Sequence, residues 1–94
     1  MSKWTVVYKN EYRAMKEVGQ WPPLYRNALY QLLTLFKNFG GRSIPNVKIE
    51  PLKGELKGLM KAYLKRKYRV IYSIDDQKFE ICIHDLGTRQ GIYK

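Results

Sequence analysis

The 94-residue sequence predicts an α+β fold: two N-terminal helices packed on one face of a small, mainly antiparallel sheet, in the order β-α-α-β-β-β. Three observations predict it. Apolar residues recur at helical spacing only in the first half of the chain, the period changes to two from Leu59 onward, and a stretch rich in proline and glycine separates the two regimes. A chain this short forms one domain, residues 1–94, around a single core.

Trp4 to Tyr8 (WTVVY) is aromatic and β-branched, the composition of a short first strand. Asn10 is placed to cap a helix over Glu11 to Val18, in which Tyr12, Met15 and Val18 recur at helical spacing before Gly19 and Gln20 end it. Pro22 and Pro23 suit the start of a second helix, where a missing N–H costs nothing. That helix runs from Leu24 to Phe39 with Leu24, Ala28, Leu32, Leu35 and Phe39 as its stripe, and Gly40-Gly41 stops it. The opposite side, Tyr25, Leu29, Tyr30 and Leu33, reads either as packing or as a groove for a partner. Arg42 to Gly58 carries Pro45, Pro51 and Gly54 and reads as loop, pinned to the core by Leu52 and Leu56.

Three strands of a meander follow. Met60, Ala62 and Leu64 alternate with Lys61 and Tyr63; Tyr68, Val70, Tyr72 and Ile74 alternate with Arg69, Ile71 and Ser73; Phe79, Ile81 and Ile83 alternate with Glu80, Cys82 and His84. A bend at Lys65-Arg66-Lys67 pairs Leu64 with Tyr68, Tyr63 with Arg69 and Lys61 with Ile71. A turn over Asp75 to Lys78 pairs Ile74 with Phe79, Ile71 with Cys82 and Arg69 with His84. Both registers gather the strongly apolar sets on one face.

Composition narrows the functions open to such a domain. The formal charge is +10, from 18 Lys and Arg against 8 Asp and Glu, so the surface repels itself unless a polyanion or an acidic protein lies against it. Nucleic acid is the first partner to test. Cys82 is the single cysteine and has no Cys or His neighbour at ligand spacing, which supports neither a disulfide framework nor a metal site. No stretch approaches the roughly 20 apolar residues of a membrane span, and the start of the chain lacks a signal-peptide core, so a cytoplasmic protein is expected.

With the helices on the Val70 face, the pairing leaves Tyr63, Arg69 and His84 in one row of an open face, with Lys61, Ile71 and Cys82 in the next. Lys65, Arg66 and Lys67 stand at its rim, and Arg89 and Tyr93 follow the last strand closely enough to fold over it. Such an electropositive shelf with aromatic edges suits a phosphate backbone with exposed bases better than a duplex major groove. Lysines at a sheet edge also discourage sheet-to-sheet pairing, which is the plainer role open to the bend.

The segment PLKGELKGLMKAYLKRKYRVIYSIDD, residues 51–76, and LGTRQGIYK, residues 86–94, resemble the RelE/ParE superfamily of type II toxins, specifically the RelE-like messenger-RNA interferases. The specific features are PLKGELKGL, YRVIY and G-x-R-x-x-x-Y at these spacings, and the order of elements follows that family along nearly the whole chain. The resemblance implies a toxin that enters the ribosomal A site, cuts messenger RNA there, and is held inactive in a hetero-oligomer by a cognate acidic antitoxin. It implies no cofactor and no metal: the RNA's own 2′-hydroxyl attacks the adjacent phosphate, leaving a 2′,3′-cyclic phosphate and a 5′-hydroxyl. Carried over by position, Arg69 would stabilise the phosphorane, Arg89 would support the leaving oxygen, Tyr93 would orient the nucleophile or stack on a base, and Lys61 matches the first basic residue of the preceding strand. Lys57, Tyr63, Lys65, Arg66, Lys67 and His84 complete the RNA-binding set. Tyr63 stands where relatives often carry a second basic residue and Thr88 where many have histidine, and the proton-accepting group is left open. Two other functions fit the same scaffold, a ParE-like DNA gyrase inhibitor without nuclease activity and a plain basic RNA-binding module.

Overall fold

The computed structural model describes residues 3–88, which form five strands and two helices. The elements are β1 (Thr5–Tyr8), α1 (Glu11–Gly19), α2 (Pro23–Phe39), β2 (Ile49–Pro51), β3 (Met60–Leu64), β4 (Tyr68–Asp75) and β5 (Glu80–Thr88), with a 3₁₀ turn at Gly54–Leu56. The sheet order is β1-β5-β4-β3-β2. All pairs are antiparallel except β1 with β5, which run parallel with Thr5 beside Glu80 and Tyr8 beside Ile83. The helices form the crossover that such a parallel pair needs. Among the described residues no helix is long and apolar enough to cross a membrane.

Both helices are present, with their inward faces rotated from expectation. Asn10 caps α1 by accepting the Arg13 N–H at 3.0 Å. Tyr12 and Met15, however, are 79% and 43% exposed, and Ala14 and Val18 face the core instead. Successive steps of three residues precess by about 60° around a helix, so Tyr12, Met15 and Val18 cannot share a face that Ala14 and Val18 hold. On α2 the buried residues are Leu29, Leu32 and Phe36, while Leu24 and Phe39 are exposed. Aromatic contacts select that face. Tyr68 of β4 meets Trp21 and Tyr25 at centroid distances of 4.3 and 4.6 Å, and Phe36 meets Tyr72 at 4.7 Å.

The segment between α2 and β3 is anchored by buried Ile44 and by Val47 and Ile49, not by Leu56, which is exposed. It also holds β2, whose pairing with β3 extends the sheet by one strand. The β3–β4 register is the expected one, with Leu64, Tyr63 and Lys61 opposite Tyr68, Arg69 and Ile71.

The β4–β5 register differs from expectation. Ile74 pairs with Ile81, Ile71 with Asp85 and Arg69 with Gly87. Two causes add. The turn is longer because Asp75 Oδ1 accepts the N–H groups of Gln77 and Lys78 at 3.0 and 3.1 Å and Phe79 takes a left-handed φ of 52°. That moves the register by two and keeps each face. A bulge between Ile71 and Tyr72 then leaves His84 as the extra residue, so that Ile83 and Leu86, three apart, both reach the core.

Tyr72 crosses the core and donates its hydroxyl to the Gly41 carbonyl, and burial pushes its pKa up. A Cβ on Gly41 would lie 2.8 Å from the Tyr72 ring. Tyr72→Phe is therefore expected to cost about 1–2 kcal/mol and Gly41→Ala about 1–3 kcal/mol, read as a fall in the urea midpoint at unchanged slope.

Candidate active site

Alternation along β4 sends Tyr68, Val70 and Tyr72 toward the helices and Arg69 and Ile71 to the other face. That face is not open at its centre. Arg69 and Ile71 are only 8% and 5% exposed. Tyr63 is the hub. The Arg69 guanidinium carbon lies 4.8 Å from its ring centroid, Lys61 Nζ at 5.1 Å and Lys48 Nζ at 5.2 Å.

Glu50 joins this cluster from β2. Its Oε2 accepts the Tyr63 hydroxyl at 3.1 Å and lies 3.7 Å from Lys61 Nζ, while Oε1 lies 3.3 Å from Lys48 Nζ. Hydrogen bonding from Lys48 in the first place, then from Tyr63, together with the charges of Lys48 and Lys61, holds the Glu50 carboxyl below the usual range. Glu50 and Lys61 thus form an ion pair on this face. Arg69 has no such partner: its Nε is buried and meets no acceptor among the described residues. A guanidinium N–H held in this way costs desolvation that none of the described groups returns.

The other sequence-predicted residues divide. Lys65 and Arg66 form the exposed turn between β3 and β4, both with left-handed φ, 49° and 68°, closed by the Lys67 N–H on the Leu64 carbonyl at 3.2 Å. Lys67 Nζ turns to the helix side, 5.7 Å from the Tyr25 ring. Lys57 is exposed after the 3₁₀ turn, away from the Tyr63 cluster's hydrogen bonds and ion pairs. His84 is not beside Arg69, because the turn and bulge put Gly87 there. Its Nε2 lies 2.9 Å from Ser73 Oγ, and burial, then the charge of Lys9, lowers its pKa. It lines, with Lys9, Arg13 and Asp85, a cleft of about 480 Å³ between β5 and α1. Arg89 and Tyr93 lie outside the described residues. No group of three or more His, Cys, Asp or Glu side chains that could hold a metal ion occurs among the described residues.

Sequence reasoning missed Lys48 and Glu50. The signal was present in Val47-Lys48-Ile49-Glu50, which alternates with period two, but Pro45 and Pro51 on either side made the segment read as loop.

No protein-family model and no curated protein matches the chain. Solved structures do. The fold matches YafQ from E. coli strain BL21(DE3) with a TM-score of 0.75 at 21% identity, over 98% of this chain and 100% of that one. It matches the RelBE2 toxin–antitoxin complex of Mycobacterium tuberculosis with a TM-score of 0.71 at 24% identity, over 92% and 98%. The archaeal RelE–RelB complex of Pyrococcus horikoshii OT3 gives 0.69 at 22%, over 95% and 97%.

Two outcomes follow from this geometry. Left-handed φ strains a residue with a Cβ, so Arg66→Gly is expected to stabilise the fold by about 1 kcal/mol in urea unfolding. His84 is the one histidine of the chain, and its folded-state pKa lies below its unfolded value. The unfolded state then binds the proton more readily, so stability is complete above the unfolded pKa of about 6.5 and falls as pH drops from there toward the folded value. Midpoints measured between about pH 5 and 7 should show that decline in the wild type and a shallower one in His84→Gln.

Proposed function

We propose that this protein, whose fold is that of the RelE-like toxins, is the toxin of a type II toxin–antitoxin system: an endoribonuclease that cleaves messenger RNA in the ribosomal A site by attack of the RNA's own 2′-hydroxyl. The observation that carries this reading is Arg69, a nearly buried guanidinium backed by the Tyr63 ring, with a donor that meets no acceptor among the described residues. A fold keeps such a group against its desolvation cost when an anion arrives to use it. A phosphodiester is the fitting anion, since its equatorial oxygens match the planar fork of donors and gain negative charge as the phosphorane forms.

Lys61, ion-paired with Glu50, stands on the same face. The nucleophile belongs to the substrate, so the protein has to align the 2′-hydroxyl, phosphorus and leaving 5′-oxygen and neutralise the developing charge. Arg89 and Tyr93 are assigned to the leaving group and the nucleophile by the terminal motif alone. Lys65 and Arg66 on the exposed turn, and the +10 charge as a whole, draw the protein to ribosomal and messenger RNA. The same charge suits an acidic antitoxin, and the RelBE2 and RelE–RelB structures are complexes of that type.

The test combines stability with cleavage. Arg69→Met replaces a buried guanidinium by an apolar chain of similar length, so it should unfold no earlier than the wild type, and later if the desolvation cost is relieved. It should nevertheless lose about 100- to 1,000-fold in cleavage of ribosome-bound messenger, mapped by sequencing new 5′ ends. Messages left uncut by the wild type, with toxicity that survives Arg69→Met and plasmids that fail to relax, would replace this reading by gyrase inhibition.

A further inference from the structure

Glu50 lies outside every motif that singles out the site, yet it contacts Tyr63, Lys48 and Lys61 there. It comes from a strand of three residues that ends at Pro51, and that strand places it directly opposite Lys61. Among Lys48, Lys61 and Arg69, a carboxylate would be expected to pair with the guanidinium, which offers the best fork of donors. It does not. It accepts the Tyr63 hydroxyl at 3.1 Å, and Tyr63 carries Arg69 on its ring at 4.8 Å. The carboxylate is thus engaged by the phenol, and the Arg69 Nε donor meets no acceptor among the described residues.

We propose that Glu50 is a positioning residue of this active site, which by holding the Tyr63 hydroxyl locks the ring on which Arg69 is laid. A half-buried tyrosine on a sheet surface has more than one staggered rotamer open to it. A hydroxyl donated to a carboxylate favours one of them. The ring then fixes the height and tilt of the guanidinium above the sheet, where a displacement of about 1 Å costs on the order of 100-fold in rate. Glu50 acts through Tyr63 and touches neither the reacting atoms nor Arg69 by any hydrogen bond. Its looser contact with Lys61, at 3.7 Å, is secondary.

This inference rests on the nuclease reading above, and one assay separates the two. Wild type, Arg69→Ala, Glu50→Ala, Glu50→Gln, Tyr63→Phe and the Glu50→Ala/Tyr63→Phe double variant are compared in single-turnover cleavage of messenger on ribosomes, reading both the rate at saturating protein and the half-saturating concentration. Glu50→Ala and Tyr63→Phe should each lower the saturated rate about tenfold and leave half-saturation within about threefold. The double variant should be no slower than the slower single one, since both remove the same tether. Glu50→Gln, a neutral acceptor of the same shape, should recover most of the rate. A residue that serves folding alone would show penalties that multiply and no recovery by glutamine. If Glu50→Ala unfolds, Tyr63→Phe carries the test, because it keeps the ring and removes only the hydroxyl. Multiplying penalties, or a wild-type rate in Tyr63→Phe while Arg69→Ala is inactive, overturn the inference alone. A wild-type protein that cuts no messenger overturns the proposed function and this inference with it.

Discussion

The chemistry this molecule can support depends on the register of β4 against β3. Leu64 opposite Tyr68 sends Tyr68, Val70 and Tyr72 beneath the helices and leaves Tyr63 opposite Arg69 on the far side. A slip of one residue would exchange the two sets, placing a guanidinium against Phe36 and Tyr25 and three apolar side chains in water. Several independent contacts forbid the slip. Tyr68 holds tilted ring contacts with both Trp21 and Tyr25, and Tyr72 is tied by its hydroxyl to Gly41 just after α2. The core thus aims Arg69 by holding its two neighbours in sequence.

The far end of β4 is set by a different device. Opposite Arg69 on β5 stands Gly87, with a φ of 151° that a side chain would strain, so Arg69 has a ring on one flank and bare backbone on the other. The bulge at His84 produces this pairing. Without the extra residue, Leu86 would leave the core or Ile83 would. Packing of two apolar residues therefore decides which residue meets Arg69, and the histidine that the simpler register would have delivered is carried away to Ser73.

What could be read from the sequence follows the range of the interactions that decide each feature. The β3–β4 register was legible because the alternation and the bend agree within a dozen residues. The direction of Arg69 came with it. The β4–β5 register was not, since it depends on Asp75 closing a longer turn and on packing across the core that favours a bulge. The helix faces were misjudged for a similar reason: hydropathy alone preferred Leu24 and Phe39, while contact with Tyr68 and Tyr72 chose Tyr25 and Phe36. The parallel union of β1 with β5 joins the two ends of the chain and leaves no local signature. On the candidate face, motif resemblance singled out Lys61 and Arg69, which the structure brings together over the Tyr63 ring, whereas Glu50 was hidden by its flanking prolines and the near-burial of Arg69 had no sequence signal at all.

Stability and charge pull against each other across this face. Lys65 and Arg66 sit where glycine or asparagine would rest more easily, and three cations crowd one phenol ring with a single carboxylate among them. Two like charges about 8 Å apart repel by about 2 kcal/mol at an effective dielectric of about 20, so the folded state carries repulsion that any bound anion relieves. On the proposed reading that relief serves two partners alike. A messenger phosphate and an acidic antitoxin segment would draw on the same cations, and the two would exclude one another without any change in the shape of the sheet. Inhibition then needs no allosteric element, because the charge that makes the site reactive is also what makes it easy to cover.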